Sequence, residues 1–152
     1  MIRRRQQGFT LIELMVVLVI IGIASAAISL SIKPDPLHLL RKDAERLSQL
    51  LQIAQAEARA DGRAIVWRAN AKGFGFSRTG DNGVDVDGFD SDSQLRPRAW
   101  ENTPMQVSIE PGQTLILNAE WINPPLRIML SDGQHRISVQ RDTAGVLQVV
   151  NP

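Results

Sequence analysis

The sequence predicts an α+β chain. A long N-terminal helix, its first half suited to a membrane and its second half amphipathic, is followed by an antiparallel β-sheet domain. Three observations carry this. Residues 14–32 contain no ionisable side chain. Apolar residues then recur at alternating spacings of three and four as far as Ala58, and short β-type runs separated by turn residues fill the remainder.

At 152 residues, 43% hydrophobic and 22% charged, the chain has the size of one domain plus an appended element. Cysteine is absent, which excludes disulfides, thiolate metal sites and cysteine nucleophiles. The two histidines, His38 and His135, leave little for a metal centre, and no metal or other cofactor is expected. Lys and Arg number 17 against 16 Asp and Glu. Three of the cations, Arg3, Arg4 and Arg5, lie before Gly8, and without them the balance is 14 to 16, or −2. Net charge therefore gives no argument for nucleic acid.

The 19 residues 14–32 would span roughly 28 Å as a helix, enough to cross a bilayer. Ser25, Ser29 and Ser31 are compatible with that, since a helical serine can bond the carbonyl one turn back. The three arginines place the N-terminus in the cytoplasm and everything after the span outside it. Two readings compete: a secretory signal peptide cleaved after Ala24-Ser25-Ala26, and a plain single-span anchor. Neither explains Glu13, an acid at the membrane-entry end of the apolar run.

The stretch Gly8-Phe9-Thr10-Leu11-Ile12-Glu13-Leu14 resembles the class III leader of type IV pilins and type II secretion pseudopilins. The likeness lies in a short basic leader, Gly8 before Phe9, and Glu13 as the fifth residue after that junction. It implies that a prepilin peptidase cuts between Gly8 and Phe9 and methylates the new amine of Phe9, while the apolar segment stays on the mature protein. It also implies an assembly role for Glu13, paired with the N-terminal amine of a neighbouring subunit and so setting axial register. A carboxylate buried in an apolar bundle is costly unless paired. The expected organisation is a leader over 1–8, a transmembrane helix over 9–33, an amphipathic helix over 34–62 packed on a sheet, and a β-rich periplasmic domain over 63–152.

Pro34-Asp35-Pro36 predicts a kink or short break: Pro34 lacks an N–H, while Asp35 can cap a new start with Pro36 in its first turn. Leu37, Leu40, Ala44, Leu47, Leu51, Ala54 and Ala58 then form one apolar stripe on a helix ending near Asp61-Gly62. Arg41, Lys42, Glu45, Gln49, Gln52 and Arg59 lie opposite. Small alanines at the far end favour a helix lying on a sheet over a coiled-coil seam. Ile65, Trp67 and Ala69, the turn 70–73, and Phe74 and Phe76 read as a hairpin.

Residues 79–98 read as a flexible loop containing Asp81, Asp85, Asp87, Asp90 and Asp92. Asp85-Val86-Asp87-Gly88 resembles part of a calcium loop. Aligning Gly88 with the invariant glycine, however, puts Gly83 at the first ligand position and Gln94 at the bidentate one, so a solvated loop is preferred. Further strands are expected over 106–109 and 114–117 around Glu110-Pro111-Gly112-Gln113, over 126–130 and 136–140 around Asp132-Gly133, and over 146–150. Trp67, Trp100 and Trp121 read as packing residues. Ser131, Asp132 and His135 share a turn, with no accompanying motif that would make them a catalytic set, and no enzyme is expected.

Within the family, the size, the Gly73-Phe74-Gly75-Phe76 hairpin, the long loop and the closing Gly145 hairpin resemble the H-type minor pseudopilins of type II secretion, grouped with the FimT-like minor pilins. The retained acid separates the chain from K-type tip pseudopilins, and the absent Cys pair separates it from typical major pilins. The resemblance implies a pilin-like fold and a subunit that helps initiate or cap a periplasmic filament driving export of folded proteins across the outer membrane. Its implied partners are prepilin peptidase, the other minor pseudopilins, the major pseudopilin and the inner-membrane assembly platform. Its implied location is the bacterial inner membrane, single-pass, with a periplasmic C-terminal domain. The runner-up is a minor pilin of a type IV pilus in adhesion or DNA uptake. For nucleic acid, which is not expected, Arg127, Arg136 and Arg141 are the only candidates. A more distant alternative is a soluble periplasmic module released at Ala26.

Overall fold

Helix α1, Leu11–Ser31, and helix α2, Pro36–Asp61, belong to different units of the chain, Met1–Pro34 and Asp35–Pro152. The structure, a computed structural model, describes residues 9–31, 35–80, 85–112, 114–119 and 124–151. The apolar run 14–32 extends beyond them, and among them no helix is long and apolar enough to cross a membrane. The break expected at Pro34 also lies outside them, as do Gly8 and Trp121.

Asp35 caps α2 from an extended backbone, its Oδ1 accepting the Leu37 amide at 3.0 Å, and Pro36 occupies the first turn, where no N–H is needed. Gly62 ends the helix at φ 69°, a left-handed conformation that a Cβ would disfavour. The expected stripe is the buried one: Leu40, Ala44, Leu47, Leu51, Ala54 and Ala58 are wholly buried, and Leu37 is partly so. The buried face is wider than the stripe, because Asp43, Ser48, Leu50 and Gln55 are buried too. Gln55 Nε2 donates to the Asn118 carbonyl at 2.6 Å. Among the described residues nine strands follow, all paired antiparallel.

The hairpin is as expected. Strand β1, Ile65–Ala69, pairs with β2, Gly73–Thr79, with Trp67 opposite Phe76. Asn70 Oδ1 closes its turn by accepting the amides of Lys72 and Gly73. Phe74 and Phe76 point inward and are buried. The ring of Phe74 lies 4.5 Å from that of Trp100, whose indole N–H donates to the Asn70 carbonyl at 2.8 Å. Both described tryptophans, Trp67 and Trp100, are buried.

Two expectations need correction. First, β5, Gln106–Glu110, and β6, Leu115–Leu117, follow each other in sequence but do not pair. The chain changes sheets between them. Strand β6 joins β3, β2 and β1 in one sheet, while β5 joins β7, Leu126–Ser131, β8, Arg136–Arg141, and β9, Leu147–Val150, in a second. The reason is burial: Ile65, Val66 and Trp67 are all buried, as befits a strand covered on both sides, and β6 supplies the second neighbour. Second, the described parts of 79–98 are not an open loop. Asp85–Asp87 forms β3 on one end of β2, Arg98–Ala99 forms β4 on the other, and Phe89 and Leu95 between them are buried. Gly73 permits the β4 contact, since a Cβ there would meet the Arg98 carbonyl oxygen at 2.4 Å.

A single apolar core, reaching from Leu40 to Leu147, joins α2 to both sheets. A polar clasp closes one end of it. The wholly buried Asp43 carboxylate accepts the amides of Glu101, at 2.9 Å, and Asn102, at 3.2 Å. Lys42, at 2.9 Å, and Arg46 both pair with the Glu101 carboxylate. Asn102 Nδ2 donates to the Pro36 carbonyl and to Asp132 Oδ2, at 3.3 and 3.1 Å. Burial pushes the Asp43 carboxyl above its ordinary range, against the pull of the two amides and Arg46. The amide of His135 above all, then Gln134, the His135 ring and Asn102, hold Asp132 well below its own.

Asp43→Ala should cost about 2 kcal/mol, because it leaves two amides without an acceptor, as measured by urea unfolding followed through tryptophan fluorescence. The two acids act with opposite signs on acidification. Asp132, with its lowered folded pKa, contributes stability above the unfolded value of 3.8 that is lost as pH falls below it. Asp43, with its raised folded pKa, contributes stability at low pH that is lost as pH rises through the window above 3.8. Between neutral pH and about pH 4, urea midpoints should therefore fall further in Asp43→Asn than in the parent chain, and below about pH 4 they should decline less in Asp132→Asn.

Candidate functional site

The residues singled out at the N-terminus lie on the unit that contains α1. Phe9 is 83% exposed and directly precedes Thr10, whose side chain starts the helix. Thr10 Oγ1 accepts the Glu13 amide at 3.3 Å, and the Thr10 carbonyl accepts the amides of Glu13 and Leu14 at 3.1 and 3.3 Å. Thr10 has the cap position and Glu13 the third helical position of a Thr-x-x-Glu pattern, a signature present in the sequence but not singled out there. An acid in the first turn also complements the positive end of the helix dipole. Glu13 is exposed on this unit. Gly8 lies outside the described residues.

The large apolar side chains over residues 11–23 are between 42% and 78% exposed. They point in every direction around the helix, so no rotation against a single flat surface would cover them. The core of the other unit contains none of them. Such a surface is stable only in an apolar medium or among other apolar helices.

The other candidates have local work. Ser131, Asp132 and His135 do meet, but as a turn. Asp132 Oδ1 accepts the amides of Gln134 and His135 at 2.9 and 2.6 Å, its Oδ2 lies 3.1 Å from His135 Nδ1, and Ser131 Oγ accepts the Gly133 amide. The hydroxyl is thus joined to a backbone amide and the carboxylate lines its own turn. In the acidic segment, Asp92 is held below its ordinary range by the Leu95 and Gln94 amides, and Asp87 Oδ1 accepts the Phe89 amide. Among the described residues no group of His, Cys, Asp and Glu is placed to hold a metal ion; Asp81 and Gly83 lie outside them.

The three C-terminal arginines do not make one patch. Arg127 lies 3.8 Å from Glu110, Arg141 donates to the Pro124 carbonyl, and Arg136 sits at the opposite end of β8 from Arg141.

Comparison with known proteins gives two family matches. Residues 3–29 match the prokaryotic N-terminal methylation motif, and residues 43–145 match the type II transport protein GspH. The type II secretion system protein H of Aeromonas hydrophila is 37% identical over 77 residues, which is 49% of this chain and 41% of that protein. The match thus spans less than half of that relative's length. Among solved structures, the minor pseudopilin EpsH from the type 2 secretion system of Vibrio cholerae superposes with a TM-score of 0.57 at 15% identity, covering 74% of this chain and 97% of that one. The type IV minor pilin FimU of Pseudomonas aeruginosa gives 0.54 at 19% identity, over 73% and 87%. At such identities these two likenesses concern the fold alone.

Proposed function

Because this chain belongs to the type II transport protein GspH family, we propose that it is a minor pseudopilin of a type II secretion system, helping to initiate or cap the periplasmic filament that drives export of folded proteins. The observation that carries the reading is the division of labour between the units. One unit has a helix that is apolar on every side with Glu13 in its first turn, and the other has a core that is complete without it. A chain built in this way acts by insertion and assembly. Its chemistry is binding, with no reaction carried out by its own side chains.

In this reading prepilin peptidase cuts between Gly8 and Phe9 and methylates Phe9, a step for which the methylation-motif match over residues 3–29 is the support. The segment 9–33 then anchors the protein in the inner membrane, with the domain from Asp35 onward in the periplasm. Glu13 pairs with the N-terminal amine of a neighbouring subunit. Its partners are the other pseudopilins and the inner-membrane platform. A minor pilin of a type IV pilus is the second reading, since FimU shares the fold nearly as well as EpsH. The family match over residues 43–145 favours secretion.

Intact mass and N-terminal sequencing of the protein from membranes of a host with prepilin peptidase should give a start at methylated Phe9. A start at Ala27 in the soluble fraction would overturn the reading. Glu13→Leu should be processed normally yet enter filaments several-fold less than the parent, measured by immunoblotting of sheared or overproduced filaments; incorporation at the parental level would refute the pairing role.

A further inference from the structure

The outer face of the β1–β2 hairpin holds an open groove of about 680 Å³. Its floor is bare because the residues of β2 that face outward there are Gly73 and Gly75, while Phe74 and Phe76 turn into the core. Pro97 lies along the floor, its Cβ 3.7 Å from where a Cβ on Gly75 would stand. Three cations come from separate elements to line it: Arg68 of β1, Lys72 of the hairpin turn and Arg98 of β4. No carboxylate is among the described residues that line it.

The concentration of positive charge is local. Residues 35–152 contain 13 basic side chains against 15 acidic, so the domain as a whole is weakly negative. Several of its other cations find carboxylates: Lys42 and Arg46 pair with Glu101, and Arg78 with Glu57 and Asp61. Lys72 and Arg98 form no ion pair among the described residues. Arg98 donates instead to the carbonyls of Ser93 and Gln94, at 3.4 and 3.1 Å. Neutral carbonyls fix its position without cancelling its charge.

We propose that this groove docks an extended acidic segment of a neighbouring filament subunit. Charge complementarity selects the sign of the partner, and the glycine floor selects its shape. A polypeptide can lie close against a strand that presents no side chains, with alternate carboxylates reaching the cations on either side. A nucleic-acid duplex is too thick to lie against such a floor. The source of the partner rests on the pseudopilin reading. Binding itself is measured separately from N-terminal processing, so either can fail without the other.

The test uses the full chain in neutral detergent and a fluorescein-labelled peptide of alternating aspartate and glycine, followed by anisotropy. Saturable binding is expected, with none for the matching asparagine peptide. Lys72→Glu, on an exposed turn, should weaken it about tenfold or more. Gly75→Leu should abolish it by filling the floor, and circular-dichroism melting checks that both variants fold. Absence of binding to the aspartate peptide overturns the proposal. So does undiminished binding in either folded variant, or equal competition by a DNA duplex or by anionic phospholipid vesicles, which would mark a general polyanion surface.

Discussion

Everything in the C-terminal unit depends on covering one face of α2. Six of its apolar side chains, from Leu40 to Ala58, are wholly buried in the core shared with both sheets. Burying a leucine contributes roughly 1.5–3 kcal/mol, so Leu40, Leu47 and Leu51 alone are comparable to the net stability of an ordinary domain. Neither sheet could hide its inner face without the helix. Ala54 and Ala58 matter in another way, since they let the backbone of α2 approach the strands closely along its C-terminal half. The Asp43 clasp then fixes the helix at its other end, beside the buried Ala44.

No described side chain of α1 belongs to this core, so the two units differ in what stabilises them. The C-terminal unit satisfies itself. The N-terminal unit has a capped start, an acid in its first turn and an apolar surface all round. The proposed docking groove lies on the unit that already folds on its own core, so contacts there would add selectivity to an attachment made elsewhere.

Features governed by periodicity were the legible ones. The α2 stripe, its end at Gly62, the β1–β2 hairpin and most strand positions follow from apolar spacing and turn residues, which act over a few residues. The processing motif is legible for the same reason, being contiguous from Gly8 to Glu13. What stayed hidden depends on distance. Asp43 carries no local sign of burial, because its partners are backbone amides 58 and 59 residues away. The separation of β5 from β6 follows from the need of β1 for a second neighbour, which no local pattern encodes. The burial of Phe89 and Leu95 within a polar, acidic segment was masked by composition. The groove could not be read at all, since its cations stand at positions 68, 72 and 98 and its floor consists of missing side chains.

The crossing from β5 to β6 also orders the events by which the domain can form. A chain made from its N-terminus delivers α2, β1 and β2 early, but the strand that flanks β1 arrives only at Leu115–Leu117. By then the first strand of the other sheet has already passed, and its partner β7 has yet to come. The two sheets are interleaved at this one point, so the first has all its described strands by Leu117 while β5 of the second still waits for β7. The cover that the second sheet gives α2 is complete only when the last strand, Leu147–Val150, is in place.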